Sequence, residues 1–169
     1  MNNLSFHITD ITANSIRANA SEIGLSVEEQ DTRIVIRITD NGSGMDAETA
    51  RRVTNPFYTT RTTRKVGLGL PFLIQNAEQT GGSVTLTSEP GKGTEVRAVF
   101  HSDHIDCPPW GDLPGTVALL ITGNPEINVC FEYRSGETGY SISTNEIKEI
   151  LDGVPLSYPK VMLLIKEMI

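Results

Sequence analysis

Cysteine and long apolar runs are what this 169-residue chain has least of. Only Cys107 and Cys130 are present, widely spaced, so neither a disulfide framework nor a thiolate zinc site is expected, and a reduced, cytoplasmic setting follows. The longest uninterrupted apolar runs, Val117 to Ile121 and Val161 to Ile165, fall far short of a bilayer span, so no membrane partner is expected. Asp10, Asn14 and Arg17 interrupt the apolar pattern near the start, which argues against an export leader. Aromatic residues make up 6%, but 38% of the chain is hydrophobic, enough for the core of one compact domain with an appendage.

The formal net charge of -7 speaks against nucleic acid as a partner, since such binding needs clustered cations. Its distribution is uneven. Residues 1 to 100 hold eleven acids and ten bases, whereas 101 to 169 hold ten acids and four bases. Between Thr49 and Ala77 there is no acid at all, yet Arg51, Arg52, Arg61, Arg64 and Lys65 lie there, a local cationic stretch inside an acidic protein.

Apolar residues at Leu4, Ile8, Ile11 and Ala18 predict a helix over 4–20, with His7, Asp10, Asn14 and Arg17 on an adjacent stripe. Alternation in Ile23 to Glu28 and Arg33 to Thr39 predicts a hairpin, ended by the turn Asp40 to Gly44. Asp46 caps a short helix to Val53, and Thr54 to Val66 reads as a mobile polar loop. A helix opens at Gly67 to Pro71 and closes at Gly81-Gly82. Ser83 to Ser88 and Thr94 to His101 form a second hairpin. The order predicts an α+β fold, two layers, with helices on a mostly antiparallel sheet. Asp103 to Gly115 reads as a linker. Beyond it a strand at Thr116 to Thr122, a hairpin at Asn128 to Ser143 and two helices, the first with a Ser143/Glu146 capping box and the last from about Pro159, form a small α/β appendage. Domain bounds of 1–102 and 103–169 follow.

Gly42/Gly44 and Gly67/Gly69 permit positive φ and close backbone approach to a ligand. No P-loop or dinucleotide fingerprint is present, and either pair alone reads as an ordinary turn or helix start. The order of boxes is more specific: Asp10-Ile-Thr-Ala-Asn14-Ser-Ile-Arg17, Asp40-Asn-Gly42-Ser-Gly44-Met45, Asn55-Pro-Phe57-Tyr-Thr59-Thr60, Gly67-Leu68-Gly69-Leu70 and Gly91-Lys-Gly93-Thr94. Over residues 4 to 100 this resembles the ATP-binding domain of the GHKL superfamily, which joins gyrases, a heat-shock chaperone, histidine kinases and mismatch-repair ATPases.

The resemblance implies ATP and Mg²⁺ as ligands and gives each box a role. Asn14 corresponds to the family's Mg²⁺-binding asparagine, and Mg²⁺ takes one or two protein oxygens with the rest from phosphates and water. Asp40 corresponds to the carboxylate that reads the adenine amino group, with Gly42, Gly44 and Met45 beside it. Gly67, Leu68, Gly69 and Leu70 offer helix-start N–H groups to phosphates. Thr59, Thr60, Arg61, Arg64 and Lys65 fall in a stretch similar to the ATP lid, with Phe57 as its packing anchor, and Thr94 corresponds to a threonine near the adenine. Arg17 matches the cation that histidine kinases direct at phosphate.

Two positions depart from the pattern. Lys65 stands where histidine kinases often have a first glycine. Asp10 stands where mismatch-repair and serine-kinase relatives carry a catalytic Glu and many histidine kinases carry Asn; as the candidate catalytic residue, it is one methylene shorter than Glu. His7 reads as a packing or supporting residue rather than a phosphoacceptor, and no paired helices with a phosphoacceptor histidine precede residue 4, so a stand-alone protein is expected. His101 to Cys107 has the look of a metal cluster but lacks a second ligand pair. Three functions stay open: a protein kinase acting in trans on a Ser/Thr or His of a regulatory partner, an ATP hydrolase whose lid closure drives dimerisation or partner switching, and a non-catalytic nucleotide-dependent binding module.

Overall fold

An asparagine before an apolar periodic run signals a helix start. In the computed structural model, which describes residues 3–55 and 65–169, Asn3 caps α1 (Leu4–Arg17) by accepting the Phe6 N–H at 2.7 Å. Leu4, Ile8 and Ile11 face the core. α1 ends before the expected Ala20 because Asn19 takes a left-handed φ of 62°, which a short polar side chain tolerates. β1 (Glu22–Gln30) and β2 (Arg33–Asp40) form the expected hairpin, in a register that pairs Val27 with Ile36.

Asp46 then caps α2 (Ala47–Thr54) by accepting the Thr49 N–H at 2.8 Å. Of the loop expected at Thr54 to Val66, Thr54 belongs to α2, while Lys65 and Val66 belong to α3 (Lys65–Gln79), which therefore starts two residues before Gly67. Phe57, Thr59, Thr60, Arg61 and Arg64 lie outside the described residues. β3 (Ser83–Glu89) and β4 (Gly93–His101) form the second hairpin.

The chain after His101 departs most from expectation. The apolar run taken for a strand at Thr116 to Thr122 is a helix, α4 (Leu113–Gly123). A short apolar run rich in β-branched residues fits a buried strand and a buried helix equally well, and the deciding signals lie upstream. Asp112 caps the helix through the Gly115 N–H at 3.0 Å, and Pro114 occupies its first turn, where a missing N–H costs nothing. The Pro-rich stretch before it packs against the domain: Leu4 N donates to Pro109 O at 2.8 Å, and Ser5 Oγ donates to Trp110 O at 2.6 Å. β5 (Asn128–Ser135) and β6 (Thr138–Ser143) form the expected hairpin. Ser143 caps α5 (Thr144–Leu151), and α6 (Pro159–Met168) ends the fold.

The six strands make one sheet in the order β3-β4-β2-β1-β5-β6, antiparallel except where β5 runs parallel to β1. Side chains alternate across it. Leu25, Val27, Ile36, Ile38, Val96 and Phe131 are buried in the helix layer, while Arg37 and Glu95 pair at 3.1 Å on the opposite, solvent-facing side. One apolar cluster contains both Phe100 from β4 and Phe131 from β5, neither with exposed surface, and also holds Val161 and Ile165 of α6. Glu29 of β1 accepts from Trp110 Nε1 at 3.0 Å and from the Tyr133 hydroxyl, a polar tie between the first hairpin and the later segment. The buried face of α6 thus docks on the core. No described helix is long and apolar enough to cross a membrane.

Candidate functional site

The carboxyl end of β2 carries the first functional side chain. Asp40 leaves the sheet where the chain must turn, and its two oxygens are held separately: Oδ1 accepts the Gly42 N–H at 2.9 Å, and Oδ2 accepts the Ser15 hydroxyl at 2.7 Å. Ser15 projects from α1 and is 2% exposed. The carboxylate is therefore oriented by two elements at once. At Gly42 a side-chain carbon would stand 2.7 Å from the Ala18 carbonyl oxygen, so only glycine lets the turn lie this close to α1.

The turn is locked just as tightly to the β3–β4 hairpin. Gly44 has φ 71°, and a side-chain carbon there would stand 1.9 Å from the Glu89 carbonyl oxygen. Ser43 O accepts the Gly91 N–H at 2.7 Å, and Ser88 Oγ accepts the Met45 N–H at 2.8 Å while lying 2.8 Å from Thr94 Oγ1. Thr94 is the direct cross-strand partner of Asp40.

Facing this end, α1 presents Asn14 and Arg17 one turn apart. Arg17 Nη2 donates to Asn14 Oδ1, so an amide oxygen already faces a cation. Asp10 lies a turn earlier, at the seam with α3: a side-chain carbon at Gly69 would stand 3.2 Å from its Oδ2. Burial pushes the Asp10 carboxyl above the usual carboxylate range, while the Arg17 guanidinium pulls in the opposite direction.

Between these elements is a cavity of about 220 Å³. Ile11, Ile38, Met45, Val53, Leu70 and Val96 give it apolar walls, and Asn14, Ser15, Arg17, Asp40 and Thr94 supply polar groups. Among the sequence-predicted residues it thus brings together Asn14, Arg17, Asp40, Gly44, Met45, Leu70 and Thr94. Gly42 adjoins it through Asp40, and Asp10 and Gly69 sit at the α1–α3 seam. Gly67 and Leu68 follow Lys65 in the first turn of α3. Thr59, Thr60 and Arg61 are outside the described residues. Ser15 and Ser88 were not singled out from sequence. Ser15 is adjacent to Asn14 and one helical turn beyond Ile11, a position facing the cavity, whereas only strand register brings Ser88 to Thr94.

A cavity with apolar walls, one oriented carboxylate and an amide and a guanidinium among its lining groups suits a ligand with a heteroaromatic ring and an anionic tail. Residues 3–104 match the histidine kinase-, DNA gyrase B-, and HSP90-like ATPase family, and the chain belongs to that family. It carries an ATP-binding domain of the histidine kinase type.

Among its relatives, the sensor histidine kinase YxdK of Bacillus subtilis is 29% identical over 104 residues, 57% of this chain and 32% of that protein. Sporulation kinase C of the same organism is 30% identical over 101 residues, 59% of this chain and 23% of that protein. The chain spans about a third or less of the length of the curated relatives it matches. A solved structure of the N-terminal domain of a DNA repair protein shares the fold with a TM-score of 0.63 at 15% identity, covering 89% of this chain and 57% of that one. That likeness reaches beyond residues 3–104 into the later elements.

Proposed function

We propose that this protein is a protein kinase that transfers the γ-phosphoryl group of Mg-ATP to a side chain of a separate regulatory protein. In this reading the adenine ring lies in the apolar slot and its amino group donates to Asp40, whose orientation by Ser15 and Gly42 pre-organises the contact. Thr94 lies beside the ring. Gly67 and Leu68, in the first turn of α3, offer N–H groups to the phosphates, whereas those of Gly69 and Leu70 are taken up inside the helix because α3 starts at Lys65. Arg17 supplies an exposed cation, and Thr59, Thr60, Arg61 and Lys65 act as the lid.

The donor set fits Mg²⁺. Asn14 Oδ1 is a neutral oxygen that already accepts from a guanidinium, and the remaining ligands of such an ion come from phosphate and water. Asn14 would hold the ion, which when bound supplies charge neutralisation to the triphosphate.

The observation that favours a kinase over a hydrolase is Arg17 at the phosphate end, the cation that matches histidine kinases; the group suited to the proton transfer is the carboxylate of Asp10, half-buried at the α1–α3 seam with its proton affinity raised. A hydroxyl nucleophile must lose a proton as its oxygen bonds to the γ-phosphorus and the bond to the bridging oxygen breaks, releasing ADP. Asp10 is the group on α1 able to accept that proton. An imidazole attacks with a free lone pair and needs no base, so the carboxylate favours a serine or threonine acceptor. Asp10 can equally orient a water, which gives the hydrolase reading.

Labelled γ-phosphate separates the outcomes. Label transferred to a co-purifying protein, and lost in Asp10→Asn, supports the kinase. Free phosphate without transfer supports a hydrolase, and bound, intact ATP supports a non-catalytic binding module; either of those results overturns the kinase reading.

A further inference from the structure

One face of the six-stranded sheet carries the core; the other is turned to solvent and belongs to no site described above. Because side chains alternate along each strand, pairing register places the residues of that face in rows. One row crosses the whole sheet: Thr85 of β3, Arg97 of β4, Arg37 of β2, Ser26 of β1, Glu132 of β5 and Ser141 of β6. Every member is exposed or half-buried, and the row runs through the centre of the face, since Ser26 and Arg97 are the midpoints of their strands. In the next row Thr39, Gly24, Cys130 and Ser143 are small, which leaves a groove of about 480 Å³ beside Arg37 and Glu132.

The charges of the central row are out of balance on either side of its midline. Arg97 stands directly opposite Arg37, a like-charged cross-strand pair that is destabilising within one chain. A single carboxylate lies near the two: Glu95 pairs with Arg37 at 3.1 Å, and Arg97 has no ion pair among the described residues. Across the midline, Glu132 meets only Arg134 of its own strand, at 3.9 Å.

Arg97 and Glu132 are placed symmetrically. The order β4-β2-β1-β5 puts the midline between β2 and β1, and each of the two residues stands on the second strand from it, about 7 Å to either side at the usual strand spacing. A two-fold axis along that midline lays a second copy face to face on the first, β4 over β5 and β2 over β1. Arg97 of each copy then meets Glu132 of the other. Six strands of six to nine residues give a face of roughly 700 Å², near the about 800 Å² that a stable interface takes from each partner.

We propose that the solvent-facing side of the sheet is a dimerisation surface whose occupant is a second copy of this chain, with reciprocal Arg97–Glu132 ion pairs fixing its register. The cavity is lined by Ile38 and Val96, whose side chains point to the helix layer. The two cavities of the dimer therefore lie on the far sides of the paired sheets and take no part in the contact.

Sedimentation equilibrium of the full chain at tens of micromolar tests this. The expected mass is twice the 18.4 kDa of one chain, with or without Mg-ATP. Arg97→Glu and Glu132→Arg each bring like charges together at both contacts, so each variant alone keeps its Tm and has a dimer Kd raised at least about tenfold. An equimolar mixture of the two restores opposite charges at both contacts and brings the Kd back to within about threefold of wild type, a recovery that a misfolded variant would not give. A monomeric wild type, a dimer that survives either reversal, or a mixture that stays monomeric overturns the proposal. A dimer that forms only with Mg-ATP does so too, because it would place the contact at the cavity.

Discussion

The two ends of the cavity are built on opposite plans. At the base end, Asp40, Gly42, Gly44 and Met45 are fixed by hydrogen bonds to α1 and to the β3–β4 hairpin, and by glycines where any side chain would collide with backbone. At the phosphate end, Arg17 is exposed and rests on Asn14, and Asp10 sits half-buried with its carboxyl shifted upward by burial. A pre-organised base end gives up little entropy on binding and so contributes affinity. On the nucleotide reading proposed above, the phosphate end holds groups whose charges are matched by one another and become fully satisfied when a triphosphate binds. Stability belongs to the first region and charge balance to the second.

The contrast predicts a graded series. Gly44→Ala should do the most damage: its Cβ falls within 1.9 Å of the Glu89 oxygen at positive φ, so the turn must move, and chemical denaturation should show a loss of roughly 2–3 kcal/mol. Ser15→Ala removes one hydrogen bond from Asp40 and leaves a carboxylate oxygen unpaired, so adenosine affinity should fall by about 1 kcal/mol, roughly fivefold, by calorimetry. An equal loss from Ser15→Ala and from an exposed substitution would erase the distinction between the two ends.

Arg17→Ala, at the open end, should leave Tm and adenosine binding unchanged and weaken Mg-ATP binding severalfold, an effect that shrinks as salt is raised. Asp10→Asn tests the sign of the burial effect. Because the folded carboxyl titrates above its unfolded value, burial of the charged form opposes folding at pH values above that unfolded pKa, and the opposition fades as pH falls and the group protonates. The variant should therefore raise Tm slightly at pH 7 and make no difference near pH 3. A lower Tm at pH 7 would mean that Asp10 is held by a stabilising contact.

Much of this organisation is readable from residue types. Asp46 announces a helix start, the alternation in Ile23 to Glu28 and Arg33 to Thr39 announces a hairpin, and five boxes in order point to one ATP-binding family. What was not readable depends on non-local pairing. Ser88 becomes relevant because antiparallel register sets it against Thr94, and β5 joins the sheet by running parallel to β1, a partner a hundred residues earlier. The run Val117 to Ile121 misleads because its period is uninformative; Asp112 and Pro114, inside the stretch that reads as a linker, are the cap and first turn of α4. His7 and Asn76 each look ordinary alone, and only the packing of α1 on α3 makes them a pair.

The central claim is that the cavity between α1, β2 and β4 is the Mg-ATP site, with Asp40 at its base. Calorimetric titration of Mg-ATP into the wild-type chain and Asp40→Ala tests it most directly. One saturable site in the wild type, with a Kd at least about tenfold higher in a folded Asp40→Ala, is the predicted result, since a charged hydrogen bond is worth about 1.5–3 kcal/mol. Absence of binding at millimolar nucleotide, or equal affinities in the two proteins, would contradict it.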